Sequence, residues 1–379
     1  MNDYHSKGQY FTTNTELQNT VISFIKNKPD VILEPSIGQG DLVSCIQSKF
    51  NVQFHMYEID TNIKLLAPIN RNLVNYGDFI QASINRKYTT IVGNPPYVKK
   101  STGNLYIEFI EKCFNLLDNN GELIFIIPSD FFKLTSAARL LNNMLSVGNF
   151  THIFHPNKEN LFKNASIDVI VFRYCLKIQT PQTTLYNNVK KYLINTNGTI
   201  TFSDTLTNGY LIKDHFNVYV GMVTGKESVY KNDTFGNITL LNKQNVLDKY
   251  IFINEFPTPN EELNKYMLEN KDILINRKIK KYTEKNWWLW GAPRNQKNIE
   301  NNLGKDCIYI YNLTRQKVIA FVDKVQYFGG SLIMLIPKEN IDLKKVCDYL
   351  NSDVFKSNYI YSNRFKIGHR QLSNSLFCI

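Results

Sequence analysis

The chain has no two cysteines in a C-x-x-C arrangement; its six, Cys45, Cys113, Cys175, Cys307, Cys347 and Cys378, are scattered over 379 residues. That spacing suggests neither a zinc site nor a disulfide framework, and reduced structural thiols are expected. No window approaches the ~20 continuous apolar residues of a membrane span. The start, Met1-Asn2-Asp3-Tyr4-His5, lacks a basic and then apolar leader, so a cytoplasmic protein with no membrane association is expected. The triphosphate-cradling G-x-x-x-x-G-K-[ST] is missing, as is the full G-x-G-x-x-G of dinucleotide folds. Internal repeats and low-complexity blocks are lacking too.

What remains has the composition of a folded chain, with 43% hydrophobic and 20% charged residues and a mean hydropathy of -0.29. Its length suits two domains of ordinary size. The formal charge is +11 with a pI near 9.1, and it is unevenly spread. Residues 1–179 carry 17 Lys and Arg against 15 Asp and Glu, whereas residues 180–379 carry 27 against 18. The basic excess, which invites a polyanionic partner, therefore belongs to the second half.

From Val21 to Tyr174 short apolar runs alternate with amphipathic stretches, the pattern of strands linked by helices in a largely parallel sheet. Val31–Leu33, Gln53–Tyr57, Thr90–Val92 and Leu123–Ile127 read as successive strands. Between the last two, Tyr106, Phe109, Ile110, Cys113, Phe114 and Leu117 recur at helical spacing, and Asp118-Asn119-Asn120-Gly121 is a stop signal. Beyond Lys177 the alternation is lost, with a turn-rich segment at 179–184 and a hairpin through Asn195-Thr196-Asn197-Gly198. A boundary near residue 205 is expected, giving an α/β domain at 1–205 and a second domain at 206–379.

The sharpest chemical signal is Asn94-Pro95-Pro96-Tyr97, directly after the strand Thr90–Val92. Two prolines remove two backbone donors, so carbonyls of this turn can serve as acceptors at a strand end. With the Asn94 side-chain oxygen they can receive both hydrogens of a planar amino group, and the Tyr97 ring can stack on the base that carries it. A Pro-Pro pair can also merely stiffen a loop, but ligands of α/β sheets bind beyond the carboxyl ends of strands, where this turn would lie.

Glu34-Pro35-Ser36-Ile37-Gly38-Gln39-Gly40-Asp41 follows the first strand, and Gly38 and Gly40 permit a tight turn and close backbone approach to a ligand. About 20 residues on, Tyr57-Glu58-Ile59-Asp60 places an acid at the spacing at which a carboxylate meets ribose hydroxyls, or else begins a solvated loop. Glu34 and Asp41 would repel a pyrophosphate. They suit a cofactor bearing an amine and a sulfonium, S-adenosylmethionine.

In this order the motifs resemble the gamma class of N6-adenine DNA methyltransferases of restriction-modification systems: Lys7-Gly8-Gln9-Tyr10-Phe11-Thr12-Thr13, Glu34 to Asp41, Tyr57 to Asp60, Gly77-Asp78-Phe79, and Asn94 to Tyr97. The resemblance covers roughly the first 175 residues. It implies a Rossmann-like S-adenosylmethionine-dependent methyltransferase fold followed by a target-recognition domain. Tyr10, Phe11, Thr12, Glu34, Ser36, Gly38, Gly40, Glu58, Ile59, Asp78 and Phe79 are the cofactor-binding residues it implies, with Phe11 and Thr12 at the methionine end, Glu58 on the ribose, and Asp78 with Phe79 on the adenine ring. Asn94, Pro95, Pro96 and Tyr97 are the catalytic turn. Phe162, in Phe162-Lys163-Asn164-Ala165-Ser166-Ile167-Asp168 before the strand Val169–Arg173, resembles the aromatic that stacks on the second face of the extruded base, although a core phenylalanine gives the same pattern.

The implied reaction is methyl transfer to a flipped-out adenine of double-stranded DNA, without a metal, by a monomer whose cognate restriction endonuclease is encoded separately. In the basic half, Arg277-Lys278-Ile279-Lys280-Lys281-Tyr282 leads to Trp287-Trp288-Leu289-Trp290 and Arg294. This mixture suits phosphate contact and a DNA-facing wall, or equally a tryptophan core with a solvated lysine face. Lys278 and Lys281 are candidate phosphate contacts. Arg294, Arg315, Arg364 and Arg370 are candidate readers of guanine edges. Two other readings stay open: a methyltransferase of a protein glutamine amide or of RNA, and a non-catalytic DNA-specificity subunit.

Overall fold

The computed structural model of the chain describes residues 9–100, 103–163, 165–206 and 209–377; Lys7, Gly8 and Asn164 of the motifs above lie outside them. The chain divides into two compact units, residues 1–208 with 360–363, and residues 209–359 with 364–379.

The first unit is built on a ten-stranded sheet. Its strands are β1 (Val31–Glu34), β2 (Gln53–Glu58), β3 (Val74–Tyr76), β4 (Tyr88–Gly93), β5 (Leu117–Pro128), β6 (Asn149–Phe154), β7 (Val169–Cys175), β8 (Thr183–Tyr186), β9 (Val189–Thr196) and β10 (Thr199–Ser203). They lie in the order β10-β9-β8-β6-β7-β5-β4-β1-β2-β3. Strands β3, β2, β1, β4 and β5 are mutually parallel, and β7 runs antiparallel between β5 and β6. The chain runs outward from β1 through β2 to β3, then returns to place β4 on the other side of β1. That reversal leaves a crevice at the carboxyl ends of β1 and β4.

The central strands bury both faces, which is why they read as unbroken apolar runs. Leu123, Phe125 and Ile127 of β5 join one core with Leu33, Ile91 and the helices α3 (Leu105–Asn115) and α4 (Ala138–Val147). Ile124 and Ile126 point the other way, joining Ile32, Val92 and the helices α1 (Thr15–Phe24) and α2 (Asp41–Gln47). The period-two alternation of a strand sorts neighbouring residues into the two cores. Helix α3 ends at Asn115, and Asp118 to Gly121 is a register irregularity within β5 rather than a loop. The hairpin expected at 195–198 joins β9 to β10, with Asn197 and Gly198 at φ 49° and 76°, the left-handed pair of a tight hairpin turn. It extends the sheet of the first unit.

The second unit contains a four-stranded antiparallel sheet of β11 (Phe216–Val220), β14 (Asp306–Tyr311), β15 (Ala320–Lys324) and β16 (Leu332–Pro337), ordered β11-β16-β14-β15. A separate hairpin joins β12 (Ile238–Lys243) to β13 (Val246–Tyr250). Among the described residues no helix is long and apolar enough to cross a membrane.

Candidate active site

The glycine turn leaves β1 at Glu34 and is stitched to the end of β2. The Ile37 amide donates to the Tyr57 carbonyl at 2.9 Å, while Glu58 accepts from the Gly38 amide at 2.9 Å and from the Asp60 amide at 2.8 Å. Gly38 and Gly40 have φ of +58° and +95°, and a Cβ on Gly40 would stand 2.6 Å from Ile69. A left-handed backbone and close packing therefore both demand glycine at 40. Phe11 covers Gly38, with its ring 3.4 Å from where a Cβ would be.

Asn94 leaves the neighbouring strand β4. Its Nδ2 donates to the Tyr10 carbonyl at 2.7 Å and to Thr12 Oγ1 at 3.0 Å, and its Oδ1 accepts from the Tyr97 hydroxyl. Two donor contacts on one side and an acceptor contact on the other fix the orientation of the amide. The Ser36 hydroxyl lies 3.5 Å from the Asn94 carbonyl oxygen, so the two turns adjoin.

Both turns open on one cavity of about 630 Å³. Tyr10, Phe11, Thr12, Glu34, Ser36, Gly38, Glu58, Ile59, Asp78, Phe79, Asn94 and Pro96 line it; Gly40, Pro95, Tyr97 and Phe162 do not. Phe79 is buried and stacked on Phe109, with ring centroids 5.4 Å apart. Asp78 is exposed and accepts from the Ile80 amide at 2.9 Å, which holds the turn after β3. Tyr97 packs inward, its hydroxyl also 3.1 Å from the Ile126 carbonyl. Phe162 is a core residue, 4% exposed, in contact with Tyr10 and Tyr97. The two rings expected to face a base thus lie behind the cavity wall, packed against Tyr10 and each other.

Five carboxylates, those of Glu34, Asp41, Glu58, Asp60 and Asp78, line the cavity against one lysine, Lys100, which pairs with Glu108 at 2.9 Å. Burial, helped by the charge of Glu58, raises the Glu34 pKa to about 8. Burial also raises Glu58 and Asp41 above the ordinary carboxylate range. Carboxylates desolvated together favour a ligand that brings positive charge. Among the described residues no cluster of His, Cys, Asp and Glu could hold a metal ion.

Sequence reasoning missed Lys112. From the last turn of α3 its ammonium reaches back to the carbonyls of Phe79, Ile80 (3.0 Å) and Ala82, fastening the turn that carries Asp78 and Phe79. The available signal was a lysine among the apolar positions Phe109, Ile110 and Cys113 of an amphipathic helix. Asp41, Asp60, Val98 and Phe109 also line the cavity.

Residues 42–162 match the family described as Eco57I restriction-modification methylase. The chain is similar to the Type II methyltransferase M.HincII of Haemophilus influenzae, 30% identical over 191 residues, which cover 45% of this chain and 37% of that protein. It is also similar to the Type II methyltransferase M.CvrRI of Paramecium bursaria Chlorella virus XZ-6E, 28% identical over 216 residues, 51% of this chain and 55% of that one. The chain thus spans between about a third and just over half of the length of these curated relatives. The solved structure of the Type IIL restriction-modification enzyme MmeI in complex with DNA has a similar fold, with a TM-score of 0.58 over 98% of this chain and 64% of that one at 9% identity. The α/β unit has a Rossmann-like fold.

In the second unit, of the two readings of the tryptophan run, the core is the one found. Trp287 and Trp290 are each 2% exposed and belong to a core with Tyr230, Tyr250 and Met267. Arg277, counted with the basic run, is buried too. Its guanidinium donates to the carbonyls of Leu274 (2.7 Å), Thr224 (2.9 Å), Trp287 (2.6 Å) and Leu289 (3.0 Å), and stacks 3.9 Å from the Tyr282 ring centroid. A charge that satisfied is an architectural cross-link, not a phosphate contact. Lys278, Lys281, Arg294 and Arg315 are exposed, while Arg364 and Arg370 are half-buried. The strand Arg364–Lys366 pairs with Leu313–Thr314, which brings Arg364 near Arg315.

Proposed function

We propose that this protein transfers a methyl group from S-adenosylmethionine to the N6 amino group of an adenine extruded from duplex DNA, as the modification enzyme of a restriction-modification system. The observation that carries the reading is that Asn94, in its Asn-Pro-Pro-Tyr turn, faces the same acidic cavity as the Gly38 turn.

The donor set fits this cofactor. Glu34 and Asp41 would meet its positive charges, Glu58 its ribose, and Asp78 with Phe79 its adenine. When bound, it supplies a methyl group made electrophilic by its sulfonium. The neutral exocyclic amine of the target base has its lone pair delocalised and gains positive charge only as the new bond forms. Preorganised acceptors aimed at its hydrogens favour that state over the ground state. Asn94 Oδ1, held in place by the two contacts of Nδ2, and the Pro95 carbonyl are those acceptors, and no general base is needed. An adenine inside a duplex cannot reach this depth and must be flipped out. Stacking on Tyr97 and Phe162 would offset its lost neighbours by about 1–3 kcal/mol.

In this reading the basic second unit holds the duplex, with Lys278 and Lys281 on phosphates and the exposed Arg294 and Arg315 as the foremost base readers among the four arginines. The protein acts as a monomer in the cytoplasm, and its partner endonuclease is a separate chain. The test offers labelled S-adenosylmethionine in parallel to plasmid DNA, RNA and a glutamine-bearing release factor, followed by sequencing of the plasmid for modified adenines. Label in DNA at one repeated adenine context is expected. Label in RNA or protein alone, or in no substrate despite cofactor binding, refutes the reading.

A further inference from the structure

The ring of Tyr10 lies on the face of Tyr97, with centroids 5.2 Å apart and planes 25° from parallel. It also touches Phe162 at 5.7 Å. Tyr97 and Phe162 meet each other edge to face at 6.3 Å, which is direct ring contact with no layer between them. One face of Tyr97 is therefore taken by a tyrosine side chain that also bears on Phe162. The Tyr97 hydroxyl meanwhile donates to Asn94 Oδ1, the acceptor assigned to the amino group of the base.

The geometry points to Tyr10 as a stand-in for the target base: its ring fills the base slot when no base is present, and it must swing aside for an adenine to enter. This rests on the methyltransferase reading and adds to it a residue on the base side of the cavity wall. Filling the slot has a physical rationale. Exposed aromatic faces and a buried unpaired acceptor are both costly, and Tyr10 covers the former while the Tyr97 hydroxyl satisfies the latter. The backbone of the segment need not leave. The Tyr10 carbonyl and the Thr12 hydroxyl are tied to Asn94 Nδ2, so rotation of one side chain opens the slot while the amide keeps its orientation.

The test uses the full chain with 3-fluorotyrosine at position 10, bound to S-adenosylhomocysteine, and a duplex carrying the adenine context found by plasmid sequencing. The fluorine resonance is expected to move when the duplex is added. It should stay in place with the same duplex made abasic at the target position, because no base then enters. A resonance unmoved by the intact duplex, or moved equally by the abasic one, overturns the proposal. In steady state, Tyr10→Ala is expected to lower KM for DNA about two- to tenfold, the range of one aromatic ring contact. A raised KM in Tyr10→Ala would make Tyr10 a partner of the base and also overturns the proposal; should that variant not fold, the fluorotyrosine protein decides alone. If the wild-type protein transfers no methyl group to DNA, the methyltransferase reading fails first and this inference with it. A wild-type protein that does methylate DNA leaves the two separable.

Discussion

Glu34 offers a perturbation whose sign and size follow from its place in the fold. Its carboxyl is 1% exposed at the carboxyl end of β1 and accepts from the Ser36 amide at 3.0 Å. Burial and the neighbouring Glu58 raise its pKa from 4.5 to about 8. At pH 7 the cofactor-free protein therefore holds this group about nine-tenths protonated. A ligand bringing positive charge against it restores the carboxylate, so binding releases roughly 0.9 proton at pH 7 and less than about 0.1 at pH 9. Isothermal titration of S-adenosylmethionine in buffers of different ionisation enthalpy measures that number. The difference between wild type and Glu34→Gln isolates Glu34 from the ammonium of the cofactor. Because the folded pKa exceeds the unfolded one, the same group costs the native state stability as pH rises from about 4.5 to about 8, so without cofactor the wild-type melting temperature should fall over that window more steeply than that of Glu34→Gln. Proton release that is equal in the two proteins at pH 7 would refute the reasoning.

Five further substitutions separate the roles of other residues. Asn94→Ala removes the fixed acceptor and should slow single-turnover methyl transfer by about 10²–10³-fold. Tyr97→Ala should cost only about tenfold, a stacking loss, and equal losses in rapid-quench assays would count against distinct roles. Lys112→Met loosens the turn of Phe79 to Ala82. It should raise KM for S-adenosylmethionine several-fold with kcat within about twofold, since the turn binds ground and transition states alike; a fall in kcat alone in steady-state assays would contradict this. Arg277→Met strips four carbonyls of a charged donor and should cost the second unit about 3–5 kcal/mol, seen as a lowered calorimetric transition. Arg315→Ala should leave that transition in place while reducing the salt slope of DNA binding by about one or relaxing specificity at one base pair.

The sheet was legible in the sequence because burial on both faces writes itself as apolar runs, where β1, β4, β5 and β7 fall, while the half-buried β2 shows as an alternation of buried and more exposed residues. The site was legible because each turn follows one of those runs and carries residues whose backbone freedom or lost donors matter locally. Other features were hidden because they depend on partners distant in the chain. Arg277 looks like surface charge until Thr224, 53 residues away, supplies a carbonyl to it. Trp287 and Trp290 sit in a run with no periodicity, so nothing local says which side is buried. Lys112 is placed by a turn about 30 residues earlier. In each case the deciding term is satisfaction of a buried polar group or burial of a ring, and neither is a property of the local segment.

The segment Tyr10-Phe11-Thr12 ties these observations together through its contacts on two sides. Phe11 packs onto Gly38, and therefore onto the glycine turn that follows β1. Tyr10 and Thr12, two residues apart, serve the other side, where Tyr10 lies on Tyr97 and Thr12 holds the amide of Asn94. Three consecutive residues thus contact the glycine turn, the Asn94 amide and the Tyr97 ring at once. In the proposed reaction, a shift that seats the cofactor against Phe11 would be transmitted over one peptide unit to the groups that orient Asn94 Oδ1. In-line transfer needs donor and acceptor aligned to within a fraction of an ångström, and a single short strap bearing on both is a direct physical way to keep them in register.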